Sequence, residues 1–288
     1  MEKWQKWRVY ALGVFGVLLL VNWAAWGYVT AGSGLRVTFF DIGQGDSIFV
    51  ETPQGHQILI DGGPNSAVIE KLGKAMPFWD KTIDLMVLTH PEADHISGLV
   101  DVFKQYAVQN VLWTGVEKDT NIFAVWERAL LAEDARVILA RAPQKLVWSQ
   151  NSANAFLEIL YPDDSAIASV RAANNTSIIS RLVFGGRSFL FTGDIEKTIE
   201  QKLVEEKNNL RADVLKVPHH GSKTSSSESF LAALSPRIAV MQVGAKNRYG
   251  HPAEEVMERF AAFGIPVLRS DLNGDILITS DGTSLRIQ

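Results

Sequence analysis

The chain has 288 residues, 47% of them apolar and 21% charged, which suits one large domain or two small ones with a substantial core and argues against disorder. A formal net charge of −4 lacks the strongly basic footprint of a protein that coats nucleic acid, so any contact with phosphate must be local. The absence of cysteine excludes disulfides, thiolate zinc sites and a cysteine nucleophile.

The chain opens with "MEKWQKWRVYALGVFGVLLLVNWAAWGYVTAGSG", in which Lys3, Lys6 and Arg8 precede apolar sequence. That apolar stretch is about 20 residues long, roughly what spans hydrocarbon. Trp4, Trp7, Trp23, Trp26 and Tyr28 fall near its two ends, where interfacial aromatics belong. The expectation is a single transmembrane helix with its basic end cytoplasmic and everything after Gly34 outside the cytoplasm. The alternative is a signal peptide cleaved near "VTAG", which would give a secreted protein. Residues 1–34 are thus read as membrane anchor (or signal peptide) and linker, and 35–288 as one catalytic-size domain.

After the "AGSG" joint, short apolar strands recur between Gly, Asp and Asn turns: "RVTFFDI", "SIFVET", "QILIDGG" and "DLMVLTH". Helical patterns over 97–106, 121–134, 195–207, 226–234 and 252–264 then alternate with strands such as "NVLWT", "SIISRLVFG", "RSFLFTGD" and "ADVLKVPHHGS". Two β-rich halves flanked by helices predict two sheets packed face to face with helices outside, a layered α/β sandwich.

Three of these strands stop directly before metal-type ligands. After "DLMVL" come His90, Glu92, Asp94 and His95; after "RSFLF" comes Asp194; after "ADVLKV" come His219 and His220. A divalent ion needs several N and O donors from different segments, and rigid strand ends can hold them. Taken singly, each motif has an ordinary reading: a hydrogen-bonded turn histidine, a helix-capping Asp194, a structural histidine pair. Taken together they predict a metal site, in which Asp94 reaches a second ion and Asp194 can bridge two. Adjacent histidines point to different sides, so one of His219 and His220 ligates and the other contacts the scissile group or protonates the leaving oxygen, while Asp94 holds the proton of the attacking water. Asp61 is expected to orient a ligating histidine from behind. Lys223, Lys246, Arg248 and His251 predict a small basic rim that suits a phosphodiester; the plainer reading is a solvated loop.

The segments "DIGQGDSIFV", "ILIDGG", "LTHPEADHISGL", "NNTSIISRL", "FTGD", "ADVLKVPHHGS" and "NRYGHP", in this order, resemble the metallo-β-lactamase-fold superfamily, and within it the C-terminal domain of the competence protein ComEC and its stand-alone relatives. The resemblance runs from about residue 35 to the end. It implies a four-layered αββα sandwich with one or two divalent ions, zinc or manganese, at the edge of the sheets, and hydrolytic chemistry there. The chain departs from the superfamily pattern at two places. Glu92 stands where the second histidine is expected, which tilts preference from Zn²⁺ toward Mn²⁺, and Asn174 and Asn175 stand where a third is expected. One metal position is therefore poor in nitrogen, with Asn175 a candidate supporting residue, and Asp94, His95, Asp194 and one of His219/His220 form the more complete set.

Three function classes follow. The first is a membrane-anchored, metal-dependent phosphodiesterase outside the cytoplasm, a nuclease in its sharpest form, with single-stranded DNA or another phosphodiester as partner. The second is a hydrolase of the same fold acting on a cell-wall phosphoester, thioester or lactam. The third is a metal-stabilised binding module without turnover. Nothing in the sequence calls for an obligate protein partner.

Overall fold

Alternation and unbroken apolarity decide which strands lie inside. In Leu35–Phe39, every second side chain is buried, so this strand has one covered face. Gln57–Ile60, Leu85–Val87, Val214–Lys216 and Ile238–Met241 are buried throughout, as strands covered on both faces must be. The computed structural model describes residues 7–8, 10–19, 34–148, 155–169, 172–206 and 209–288.

One sheet of eight strands runs in the order β17 (Leu285–Ile287), β16 (Ile276–Ser280), β1 (Leu35–Phe39), β2 (Ile48–Glu51), β3 (Gln57–Ile60), β5 (Leu85–Val87), β7 (Asn110–Trp113), β8 (Arg136–Leu139). The other, of seven, runs β15 (Val267–Arg269), β14 (Ile238–Met241), β13 (Val214–Lys216), β12 (Arg187–Phe191), β11 (Ile179–Phe184), β10 (Phe156–Tyr161), β9 (Gln144–Val147). A two-stranded ribbon pairs β4 (Thr82–Ile83) with β6 (Ala107–Val108). Between the large sheets, Val37, Val50, Ile58 and Val87 pack with Leu157, Leu182, Phe189 and Val214.

Helices cover both outer faces. Against the first sheet, α1 (Ala67–Ala75), α2 (Ala93–Phe103) and α3 (Asn121–Ala132) bring Leu72, Leu99 and Trp126 onto Leu59 and Met86. Against the second, α4 (Asp164–Ser169), α5 (Lys197–Glu205), α6 (Glu228–Leu234) and α7 (Glu254–Ala262) bring Ala166, Leu203, Phe230 and Phe260 onto Leu190, Leu215 and Met241. A last turn, α8, spans Ser270–Asn273. The layers are those expected, helix, sheet, sheet, helix.

Strands β3, β5 and β7 are mutually parallel, as are β12, β13, β14 and β15. Parallel strands share one carboxyl end, the usual place for a ligand crevice in an open α/β sheet. Asp61, His90, Asp194 and His220 all follow such ends.

Two local readings change. The helix expected from 97 begins at Ala93 with Glu92 at its cap position, so Asp94 and His95 sit in a first helical turn rather than a loop. Helix α1 was not foreseen, because "NSAVIEKLGKA" is short and its apolar stripe amounts to Val68 and Leu72. Residues 10–19 are helical and most of their side chains are exposed, whereas residues 20–33 of the expected membrane segment lie outside the described residues. Among the described residues no helix is long and apolar enough to cross a membrane.

Candidate metal centre

His95, in the first turn of α2, is fully buried and has different partners on its two ring nitrogens. Nδ1 lies 2.8 Å from Asp61 Oδ2, and Nε2 lies 3.3 Å from Asp194 Oδ2. His220 repeats this arrangement from the other sheet. Its Nδ1 lies 2.8 Å from the Gln242 carbonyl, and its Nε2 is 3.3 Å from both Asp94 Oδ2 and Asp194 Oδ2. A carbonyl accepts only from an N–H, so His220 Nδ1 carries a proton, and a cation that displaced the second proton from Nε2 would meet the tautomer a metal ligand needs. Asp94, His95, Asp194 and His220 thus offer four ligand atoms within 4.8 Å of one another.

The backbone is bent to make this possible. His219 and His220 both adopt left-handed conformations, with φ of 51° and 52°. Strain of this kind in non-glycine residues is tolerated where the surroundings fix it, typically at functional sites. It turns His220 inward and His219 to the cleft wall. Gly45 has φ of 143°, and a Cβ there would collide with the Asp94 carbonyl, so only glycine lets the loop before β2 close over α2.

Residues from outside the ligand group hold it in place. Thr89 donates to Asp61 through its N–H (2.8 Å) and hydroxyl (2.6 Å), fixing the carboxylate that faces His95. The Ser177 hydroxyl accepts from the Asp194 N–H at 3.0 Å. Lys216, fully buried at the end of β13, pairs with Asp46 and lies 3.5 Å from Asp194 Oδ1. Asp194 therefore turns one oxygen toward an ammonium and the other toward the imidazoles. Asp46, Asp61 and His95 also lie close together, but Lys216 and Thr89 occupy their carboxylates.

Electrostatics favour a cation. Burial pushes the His95 and His220 imidazoles down, yet Asp194 with Asp61 or Asp46 outweighs it and raises both well above their ordinary value. Burial pushes the Asp194 carboxyl up, but His220, His95 and Lys216 hold it well below the usual range. Two neighbouring imidazoles made to hold protons mark a strongly negative site that a divalent ion would neutralise. Burial and nearby His95 drive His90 to about 3, leaving it a neutral imidazole. Among the described residues His90 Nε2 is buried without a hydrogen-bond partner, and the Nε2 atoms of His95 and His220 meet carboxylates at 3.3 Å without hydrogen-bond geometry, a costly condition that ligation relieves. By these criteria the residues fit a divalent cation.

The family-model comparison agrees with this geometry: the metallo-β-lactamase superfamily model matches residues 40–132 and 161–244. The chain belongs to the metallo-β-lactamase superfamily. It is 33% identical over 286 residues to "ComE operon protein 3" of Bacillus subtilis, covering 91% of this chain and 35% of that protein. It is 34% identical to "Competence protein ComA" of Neisseria gonorrhoeae over 83% of this chain and 31% of that protein. The chain therefore spans about a third of the length of these relatives. Among solved structures, the metallo-β-lactamase fold protein YhfI from B. subtilis superposes with a TM-score of 0.54 at 12% identity, covering 86% of this chain and all of that one, which shows the fold alone.

Within this metallo-β-lactamase domain the expected residues divide. Asp94, His95, Asp194 and His220 come together, and Asp61 lies 2.8 Å behind His95. His90 is buried beside them, its ring 4.2 Å from that of His95, but outside the four-ligand group. Glu92 lies at the cleft wall, paired with Lys118 rather than gathered with the ligands. Asn175 does not support the cluster directly. It donates to Glu196 Oε2 at 3.1 Å and accepts from the Glu196 N–H at 2.9 Å, fastening the loop behind Asp194.

The basic rim is largely absent from the cleft. A cleft of 240 Å³ is lined by Gln44, Glu92, Asp94, Asn174, Asp194, His219, His220, Tyr249 and His251, whereas Lys223, Lys246 and Arg248 are exposed outside it. Only His251 of the four lines it, and burial together with His220 pushes it down to about 4, so it is a neutral donor rather than a cation. The loop holding Lys246 and Arg248 is shaped by Asn247, which bonds the carbonyls of Gly244 and His251 and turns the long cations to solvent. Asp46, Lys216, Gln44 and Tyr249 were missed; a lysine inside the apolar run "ADVLKV" was the available signal for Lys216.

Because Asp61 fixes the tautomer and orientation of His95, Asp61→Ala is expected to weaken ion affinity about 10- to 100-fold while leaving one ion bound at saturation. Isothermal titration with Mn²⁺ or Zn²⁺ checks this, and an unchanged affinity would remove Asp61 from the site.

Proposed function

We propose that this chain is a divalent-metal-dependent phosphodiesterase acting on DNA, tethered to a membrane through its N-terminal segment with the cleft outside the cytoplasm. The observation carrying the reading is the four-ligand group opening through Asp94 into a cleft walled by imidazoles and amides. Relatives named for competence and recombination support a nucleic-acid substrate. The apolar run after Arg8 supports the tether.

Asp94, His95, Asp194 and His220 would hold the ion. Such an ion supplies Lewis acidity and brings the pKa of water to roughly 7. Asp94 is the more exposed of the two carboxylates in the group, with a third of its side chain open to the cleft, and it holds the proton of the attacking water. His219 lines the same cleft, its Nε2 3.3 Å from the Asn174 amide and its Nδ1 3.4 Å from Thr224 Oγ1. Burial lowers it below its ordinary value, so it is a neutral imidazole; its Nε2 accepts from the Asn174 amide, and the ring meets the scissile group as a polar contact on the cleft wall. His251 and Tyr249, stacked with ring centroids 5.8 Å apart, offer a face for a base or sugar beside it.

The test is turnover of single-stranded DNA and of bis(p-nitrophenyl) phosphate by the full chain with Mn²⁺ or Zn²⁺, against a chromogenic lactam and a thioester. Diester cleavage lost in Asp94→Ala supports the proposal. Turnover of the lactam or thioester alone replaces it with another hydrolase, and no turnover with ion bound replaces it with a binding module. Ion at 100 times its dissociation constant is expected to add about 2.7 kcal/mol of stability by mass action, read as a rise in Tm that EDTA reverses.

A further inference from the structure

The end of the sandwich remote from the cluster carries an unusual surface. The turn Pro77–Asp80, closed by the Asp80 N–H donating to the Pro77 carbonyl at 3.0 Å, presents Phe78 and Trp79 at 82% and 67% exposure. Their rings meet edge to face with centroids 4.8 Å apart. Next to them Lys81 is exposed, its ammonium 4.8 Å from the Tyr106 ring. Two large aromatics side by side at a loop tip, with a flanking cation, have the composition of a membrane-interface contact rather than of a water-facing turn.

The sheet register places this turn relative to the start of the domain. Arg36 in β1 pairs with Glu51 in β2, and Glu51 pairs with Gln57 in β3. The Gln57 side chain then donates to Asp80 Oδ2 at 2.8 Å. The aromatic turn and the first residues of β1 therefore share one end of the sheet, separated by two strand spacings, roughly 10 Å. The carboxyl ends of β3 and β5, with Asp61 and His90, lie at the other end.

Chain length makes this juxtaposition consequential. If the apolar segment leaves the membrane near Tyr28, the residues up to Gly34 span at most about 20 Å fully extended. The end of the domain bearing Leu35, and with it the aromatic turn, is then confined close to the lipid surface.

We infer that Phe78 and Trp79 insert into the headgroup region of the bilayer to which the chain is tethered, orienting the domain with its metal cleft facing away from the membrane. This rests on the membrane tether proposed above. The partner is a lipid surface, recognised by aromatic burial at the interface, and the consequence is a cleft held open toward a polymer arriving from outside.

The absence of cysteine in the chain makes a clean test available. Full-length Trp79→Cys and Phe78→Cys, each labelled with a polarity-sensitive bimane, are incorporated into phosphatidylcholine/phosphatidylglycerol vesicles, with Lys246→Cys at the cleft end as reference. The expected result is blue-shifted emission at positions 78 and 79, quenched by headgroup-level nitroxide lipids and protected from aqueous iodide, with position 246 behaving oppositely. Vesicle flotation separates the two layers of the argument. A chain that floats while position 79 is as accessible to iodide as position 246 overturns the orientation and leaves the tether standing. A chain that does not float overturns the tether and the orientation together.

Discussion

Asp194→Ala is expected to abolish ion binding at the cluster and, with it, at least about 10³-fold of any hydrolytic turnover. Asp194 Oδ2 is the atom on which both halves of the site converge, 3.3 Å from His95 Nε2 in α2 and 3.3 Å from His220 Nε2 in the turn after β13. Removing it leaves two imidazoles and the partly exposed Asp94 without the carboxylate oxygen that both rings face, so the remaining donors are no longer gathered on one centre. The rate loss corresponds to about 4 kcal/mol, within the several kcal/mol that Lewis-acid stabilisation supplies. Elemental analysis after gel filtration and titration with Mn²⁺ and Zn²⁺ read the binding, and diester turnover reads the chemistry. Retention of a stoichiometric ion with wild-type affinity would show that the ligands are others. Glu196→Gln, two positions along and bonded to Asn175, is the local control and is expected to keep the ion.

The strand-end grammar was legible because parallel strands impose it: whatever follows β3, β5, β12 and β13 must meet at one edge. Sequence order alone could therefore place Asp61, His90, Asp94, His95, Asp194 and His220 near each other. Which of His219 and His220 turns inward was not legible, because it depends on two consecutive left-handed residues. The basic rim failed for a related reason. Lys246 and Arg248 are close to His251 in sequence, but the Asn247 bonds fold the loop so that only His251 and Tyr249 reach the cleft. Glu92 was drawn toward the ligands by its place in the motif, whereas Lys118, twenty-six positions on and without any local signal, pairs with it at the rim. Asp46 was hidden in the same way: its partner Lys216 lies on the opposite sheet, and no local pattern announces a pair formed across the sandwich.

That cross-sheet pair makes the largest stability prediction. Lys216→Met is expected to destabilise the metal-free protein by about 3–5 kcal/mol, the cost of breaking a buried ion pair by removing one partner. Lys216 is 1% exposed and Asp46 2%, so water reaches neither. Burial pushes the Lys216 ammonium down, but Asp46 and Asp194 outweigh it and keep it charged. Without the ammonium, Asp46 retains, among the charged or titratable partners of the described residues, His220 Nδ1 at 3.4 Å and His95 Nδ1 at 3.9 Å, both nitrogens already directed to other acceptors. Methionine fills the stem volume, so the loss reports charge rather than a cavity. Adding Asp46→Asn to Lys216→Met removes the stranded carboxylate, and the double variant should recover more than half of the lost stability, a coupling a packing defect would not give. Urea unfolding in EDTA, compared at constant m-value, measures each. A single-variant loss below about 1 kcal/mol, a size typical of exposed pairs, would mean that the ammonium does not neutralise Asp46 inside the sandwich.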